Sequence, residues 1–62
     1  MLIPGKLYKY IRDRIYFPEN TVFLLLDIEK IDFQKNYYSC KILLKDNIIK
    51  RIILRNEDVI QQ

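Results

Sequence analysis

The apolar residues of this chain fall in short runs whose spacing favours strands over helices. The densest run is T-V-F-L-L-L-D-I, residues 21–28, and Pro18 and Asn20 punctuate its start. About seven apolar residues are few for a helix, so the run predicts a central strand. Phe23 and Leu25 predict that its second face is half covered. The alternate residues that we expect to point into a closed β interior are Val22, Leu24, Leu26 and Ile28.

Four further runs predict the other strands of a small sheet. The first strand spans 6–11, K-L-Y-K-Y-I, and its buried face is either Leu7 and Ile11 or Tyr8 and Tyr10. The third, fourth and fifth strands are predicted at 37–44, 48–54 and 59–60. The apolar face of the third strand consists of Tyr38, Cys40, Ile42 and Leu44.

The connections between these runs carry turn and cap signals. Residues 12–20 form a long loop, and we expect at least one of its three apolar residues to fold back onto the core. Those three are Ile15, Tyr16 and Phe17. Residues 29–36 extend a bent ribbon that turns near its last residue, an asparagine, and K-D-N at 45–47 predicts a tight hairpin turn. Residues 55–58 predict one helical turn with Asn56 as its N-cap.

The order of the elements predicts an all-β fold, a small five-stranded SH3-like barrel with one short helical turn before the last strand, spanning residues 1–62 as a single domain. The stretches P-G-K-L-Y-K-Y, T-V-F-L-L-L-D-I, Y-Y-S-C-K-I-L-L, K-D-N and I-I-K-R-I-I-L resemble small barrel proteins encoded by marine bacteriophages. The resemblance covers almost the whole chain, and Asn47 stands where such families usually have glycine. It implies a barrel fold and a viral origin but no particular activity.

Length and composition exclude several classes of protein. The chain has 62 residues, enough for one small domain, and its 50% hydrophobic content indicates folding rather than disorder. Cys40 is the one cysteine, which excludes a disulfide-stapled secreted scaffold and predicts a cytoplasmic location, in the host cytoplasm if the protein is viral. The apolar run 22–26 is far below the ~20 residues that span a membrane, so we expect no membrane partner. A monomer and a small homo-oligomer both stay open.

The net charge of +3 is mildly basic, and its distribution predicts a binding surface. Basic residues alternate with tyrosines near the start of the chain, and further cations follow after residue 40. Cations for phosphates and rings for bases favour nucleic acid as the partner. The structural alternative is that such tyrosines lie in the core and such lysines protect strand edges. The candidate nucleic-acid-binding residues are Lys9, Tyr10, Arg12, Arg14, Tyr16, Lys41, Lys50 and Arg51.

A host or phage protein is the alternative partner. In an SH3-like barrel the loops at 12–20 and 30–36 would lie near each other and form a groove suited to an extended peptide. The absence of tryptophan and of an acidic cluster in the first loop argues against proline-rich ligands. The candidate protein-binding residues are Tyr10, Tyr16, Phe17 and Tyr37.

Catalytic, metal and cofactor functions find little support in the sequence. The chain has no histidine, the commonest general base and metal ligand. Cys40 without histidine makes no familiar zinc site, and its place on an apolar face indicates a small buried hydrophobe. Asp27 and Glu29 could divide acid and base roles, but such acids also keep an apolar run soluble. We therefore expect a non-enzymatic binding module that needs no cofactor and no metal.

Overall fold

A computed structural model of the chain describes residues 2–12, 17–18 and 20–62. All five strands belong to one antiparallel sheet, and a 3₁₀ turn at Asn56–Asp58 precedes the last of them. The strands are β1 (Leu7–Tyr10), β2 (Val22–Asp32), β3 (Tyr37–Leu43), β4 (Ile49–Leu54) and β5 (Val59–Gln61). Their order in the sheet is β4-β3-β2-β1-β5. The all-β prediction is confirmed.

The apolar run at 21–28 forms the central strand, as predicted. β2 pairs with β1 on one side and with β3 on the other, and it extends well past residue 28 as a ribbon. Its pairing with β3 shifts register twice, between Leu25 and Asp27 and between Ile28 and Lys30. Such bulges insert a residue and reverse the face on which the following side chains lie.

The buried face of β2 is the one that carries Phe23 and Leu25, which are 1% and 0% exposed. Tyr8 of β1 lies opposite Phe23, with ring centroids 6.3 Å apart. Burying the two large rings removes more apolar area from water than burying valine and leucine would. The face of β2 that carries Phe23 is therefore the one that packs in the core. The prediction of inward-pointing side chains is therefore wrong for Val22, Leu24 and Leu26.

Beyond the first register shift, β2 returns to the predicted orientation. Ile28 packs against the core because the extra residue between Leu25 and Asp27 reverses the alternation. The predicted apolar face of β3 is confirmed. Its members Cys40 and Ile42 are buried, and Tyr38 and Leu44 pack against the same cluster.

Aromatic residues of β1 and of the first loop complete the core. Tyr8 and Tyr10 are buried and Leu7 is 49% exposed, which decides between the two faces that the sequence left open. Phe17 meets Tyr10 edge to face, with ring centroids 5.5 Å apart. This contact confirms that an apolar residue of the first loop folds back onto the core.

Both predicted hairpin turns are confirmed by the backbone. Asn36 and Asn47 adopt φ of 59° and 62°, a left-handed conformation that asparagine tolerates better than most residues. In the second turn the Leu44 N–H donates to the Ile48 carbonyl at 2.8 Å, and the Asn47 N–H donates to the Leu44 carbonyl at 3.0 Å. These turns fix the register of β3 against its neighbours.

The helical turn before β5 is present, but its predicted cap is wrong. Arg55, not Asn56, is the residue that precedes the turn, and its backbone is extended. The Asp58 carboxylate accepts the Arg55 backbone N–H at 2.9 Å, so the cap comes from inside the turn. A carboxylate also suits the positive end of a helical turn.

The two edges of the sheet are β4 and β5. Each has one neighbour in the sheet order, β3 for β4 and β1 for β5. Within the part of the chain that the structure describes, no ladder joins β4 to β5, and closure into a barrel is not shown.

Candidate functional site

Three of the predicted nucleic-acid-binding residues lie on the outer face of the sheet, meaning the face opposite the core. Lys9 is on β1, Lys41 on β3 and Arg51 on β4, and Lys41 lies opposite both Arg51 and Asp27. Lys50 is exposed, but its side chain alternates with Arg51 and belongs to the other face. The predicted cations therefore do not form a single surface.

The other four predicted nucleic-acid-binding residues are either placed away from the outer face or lie outside the described residues. Tyr10 is 1% exposed and its ring is part of the core, so it offers no face to a base. Arg12 follows β1 and has a half-exposed side chain. Arg14 and Tyr16 lie outside the described residues.

Two of the candidate arginines are engaged by carboxylates. Arg51 Nε lies 3.1 Å from a Glu29 carboxylate oxygen, and Arg12 Nε lies 3.2 Å from Asp58 Oδ1. These contacts reduce the positive potential that phosphate binding needs. They weaken the nucleic-acid interpretation of these positions.

The described residues of the predicted tyrosine-lined groove do not line one surface. Tyr10 and Phe17 face the core, and Tyr16 lies outside the described residues. Tyr37 is partly buried, with the Arg55 guanidinium 5.2 Å from its ring centroid. Of the predicted set, Tyr37 is the one residue that a partner could reach within the described part of the chain.

The outer face instead carries a line of aliphatic side chains that crosses four strands. Leu7 lies opposite Leu24, Leu24 opposite Leu43, and Leu43 opposite Ile49. We call these four residues the apolar row. Leu7 and Ile49 are 49% and 53% exposed, and the two central leucines are partly exposed. Scattered exposed apolar residues are ordinary, whereas large contiguous apolar patches are typical of interaction surfaces, so the apolar row is the candidate site.

A groove of about 820 Å³ lies beside the apolar row. The sheet contributes Leu7, Val22, Leu24 and Leu43 to its lining. The β3–β4 turn and the end of the first loop, residues 17–18 and 20–21, supply its other walls. Its volume is within the ~300–1,000 Å³ of typical ligand-binding clefts.

The sequence does contain a signal for the apolar row. The alternation of apolar residues in β2 leads to the prediction that Leu24 faces the core, whereas it lies on the outer face. β2 is apolar on both faces over 22–26, and a strand of that kind needs a cover on each side. The face of β2 that carries Phe23 packs in the core, so the face that carries Leu24 lies on the outside of the sheet. The exposed aliphatic residues of β1 and β4 align with it only through the register, which the sequence alone does not reveal.

A second exposed feature is Phe33 at the β2–β3 turn, which is 86% exposed. Asp32 Oδ1 accepts the backbone N–H groups of Gln34 and Lys35 at 3.1 and 3.2 Å, which orders this turn. Lys30 and Lys35 are exposed nearby in sequence. An aromatic residue at the tip of a hairpin, between lysines, is the signal that sequence reasoning could have used.

The buried thiol of Cys40 is expected to react poorly as a nucleophile. Cys40 is 1% exposed, and its Sγ donates to the Tyr38 carbonyl at 3.4 Å. Burial raises the pKa of this thiol from 9.0 to about 11, and the negative charges of Glu29 and Asp27 act in the same direction. A thiol with such a pKa is a poor nucleophile at neutral pH. Among the described residues, no group of three or more acidic or cysteine side chains could hold a metal ion.

The chain matches no protein-family model, no curated protein and no solved structure at a significant level. In the described residues no helix has the length and apolar character needed to cross a bilayer.

Proposed function

We propose that this protein is a non-catalytic binding module that docks a protein partner along the apolar row. The observation that carries the proposal is the register, which places Leu24 and Leu43 side by side and continues them to Leu7 and Ile49. A partner that covers this surface gains on the order of 2.5 kcal/mol for each ~100 Å² of apolar area removed from water. Loss of translational freedom offsets part of that gain.

The chemistry of the row favours protein over nucleic acid. Base stacking needs flat rings, and the row is aliphatic. Phosphate binding depends on an excess of positive charge, and the Glu29 carboxylate offsets the charge of Arg51 beside the row. Apolar side chains of a protein partner, by contrast, would fit the row and the groove beside it.

We also propose that the sheet curls toward an SH3-like barrel, with β4 and β5 as the strands that approach each other. The element order and the long first loop support this architecture. Backbone proton contacts between Ile53 and Val59 in an NMR spectrum would establish the approach, and their absence would leave an open sheet.

A selection from a random peptide display library tests the docking proposal. The wild-type protein is expected to enrich peptides rich in leucine, isoleucine and valine. Leu43→Ser should weaken binding of the enriched peptides about tenfold or more, because it places a polar group at the centre of the row. Ile31→Ser is the control, because Ile31 is an aliphatic residue of β2 that is 39% exposed and is not in the row. Equal binding by both variants would refute the proposal.

Nucleic acid remains a second candidate on the strength of Phe33. The β2–β3 turn presents this ring to solvent at 86% exposure, and Lys30 and Lys35 are exposed in the same hairpin. A ring flanked by cations fits a single-stranded nucleic acid, with a base stacked on the ring and phosphates near the lysines.

A further inference from the structure

β4 is an edge strand whose outward main-chain groups can accept another strand. The Leu44 N–H to Ile48 carbonyl bond sets the hydrogen-bonded pairs of the β3–β4 ladder at the even-numbered residues of β4. The N–H and C=O groups of Ile49, Arg51 and Ile53 therefore point away from β3. In the described residues, no backbone hydrogen bond ties these three to a segment outside the ladder.

The side chains along this edge have an apolar–cationic–apolar pattern. Ile49 and Ile53 are 53% and 45% exposed, and the Arg51 side chain between them is 67% exposed. All three lie on the outer face, and Ile49 is the last member of the apolar row.

Arg51 keeps hydrogen-bonding capacity for a second carboxylate. Its Nε donates to both Glu29 carboxylate oxygens, at 3.1 and 3.2 Å. Neither terminal guanidinium nitrogen makes a hydrogen bond within the described part of the chain, so four N–H donors stay available. Lys50, exposed on the other face of the strand, makes no ion pair with a described residue.

We infer that β4 binds an extended acidic strand of a protein partner by antiparallel strand addition. Main-chain hydrogen bonds to Ile49, Arg51 and Ile53 supply the pairing. Acidic residues of the partner lie opposite Arg51 and Lys50, and β-branched residues lie opposite the two exposed isoleucines. The inference rests on the proposed function, because the partner residue opposite Ile49 prolongs the apolar row by one strand.

A second copy of the chain is a poorer occupant of the same edge. Its β4 would bring Lys50 and Arg51, with Arg55 beyond the strand end, and no carboxylate within the strand. Cations on an edge strand repel another copy of that edge, a common protection against self-pairing. Lys50 attracts an acidic strand by its charge, and Arg51 offers such a strand the N–H donors that Glu29 does not occupy, so the edge favours an acidic partner over a second copy.

The capped peptide T-V-V-E-E-V-T is the probe, since its two glutamates fall opposite Arg51 and Lys50 when its first valine lies opposite Ile53. In a fluorescence anisotropy titration this peptide is expected to bind, and T-V-V-K-K-V-T is expected to bind at least about tenfold more weakly. N-methylation of the first glutamate, whose N–H faces β4, should abolish binding. N-methylation of the second glutamate, whose N–H faces away, should not.

Variants of the protein separate this inference from the proposed function. Arg51→Gln and Lys50→Gln should each weaken glutamate-peptide binding with an unchanged far-ultraviolet circular dichroism spectrum, whereas Leu43→Ser tests the apolar row. If Leu43→Ser loses the display-selected peptides while the β4 variants bind the glutamate peptide as wild type does, strand addition is overturned and the row is kept. If the β4 variants lose the glutamate peptide while Leu43→Ser still binds the display-selected peptides, strand addition is kept and the row is overturned. Equal binding of the two peptides, equal effects of both N-methylations, or a dimer joined through β4 would also overturn strand addition.

Discussion

Leu24 of β2 lies directly opposite Leu43 of β3 on the outer face of the sheet, with both side chains directed away from the core. The residues on either side of Leu24 in sequence, Phe23 and Leu25, are the ones that the core encloses. One strand thus supplies both the interior of the protein and the centre of its candidate docking surface. Substitutions on the two faces of β2 should therefore have different consequences.

Truncation of adjacent leucines should have unequal effects on stability. Leu25→Ala empties a fully buried position and should lower the free energy of unfolding by about 2–5 kcal/mol. Leu24→Ala removes a partly exposed side chain and should cost about 1 kcal/mol or less. Urea denaturation of both variants measures the difference. Equal costs would mean that the two faces are assigned incorrectly.

Ionisation of the Cys40 thiol should lower the free energy of unfolding at alkaline pH. Burial, followed by the charges of Glu29 and Asp27, raises the pKa of the folded thiol from 9.0 to about 11. The folded state therefore holds its proton more tightly than the unfolded state. That contribution is complete below pH 9.0 and is lost as pH rises toward about 11.

Cys40→Ala isolates this effect from other groups that titrate in the same range. The difference in unfolding free energy between wild type and variant should shrink as pH rises from 9.0 to about 11. Denaturant titrations at several pH values provide the measurement. A difference that stays constant across this range would show that the thiol has an ordinary pKa in the folded protein.

Asp58 should matter more for stability than its partner Arg12. The Asp58 carboxylate caps Arg55 and also meets Arg12, and its side chain is 13% exposed. Asp58→Ala should therefore cost about 1–2 kcal/mol, because it removes a charge-assisted hydrogen bond to the backbone. Arg12→Ala, at a half-exposed side chain, should cost under about 1 kcal/mol. Thermal denaturation measures both costs, and a less stable arginine variant would reverse the assigned roles.

The nucleic-acid alternative makes its own prediction at the β2–β3 turn. If it holds, the protein binds an oligothymidylate of about 20 nucleotides, and raising the salt from about 50 to about 200 mM weakens that binding steeply. Phe33→Ala should then cost about 1–3 kcal/mol of binding through lost stacking, with Ile31→Ala as a control in the same hairpin. Absence of binding at low salt in anisotropy titrations would remove this candidate.

Much of the fold is predictable because its signals are local. The two asparagine turns, the alternating apolar residues of β3 and the apolar run of β2 each report on their own segment. The orientation of β2 is not a local property. It depends on the pairing of Phe23 with Tyr8 across strands and on the bulge after Leu25, neither of which a single run of sequence specifies.

The candidate site is harder to predict than the fold. The sequence pattern suggests a surface of tyrosines, yet Tyr8 and Tyr10 are buried because a core this small draws its largest rings inward. The same pattern singles out Arg51, but the link to Glu29 joins residues on different strands and depends on tertiary structure. The apolar row needs three strand registers at once, so it emerges only in the folded chain.

Methyl NMR of protein labelled at leucine and isoleucine, titrated with a peptide from the display selection, tests the docking surface most directly. We predict that the methyl signals of Leu7, Leu24, Leu43 and Ile49 shift together, while those of buried Leu25 and Ile42 stay in place. Shifts centred on any other surface, with the four residues of the apolar row unaffected, would contradict the proposed docking surface.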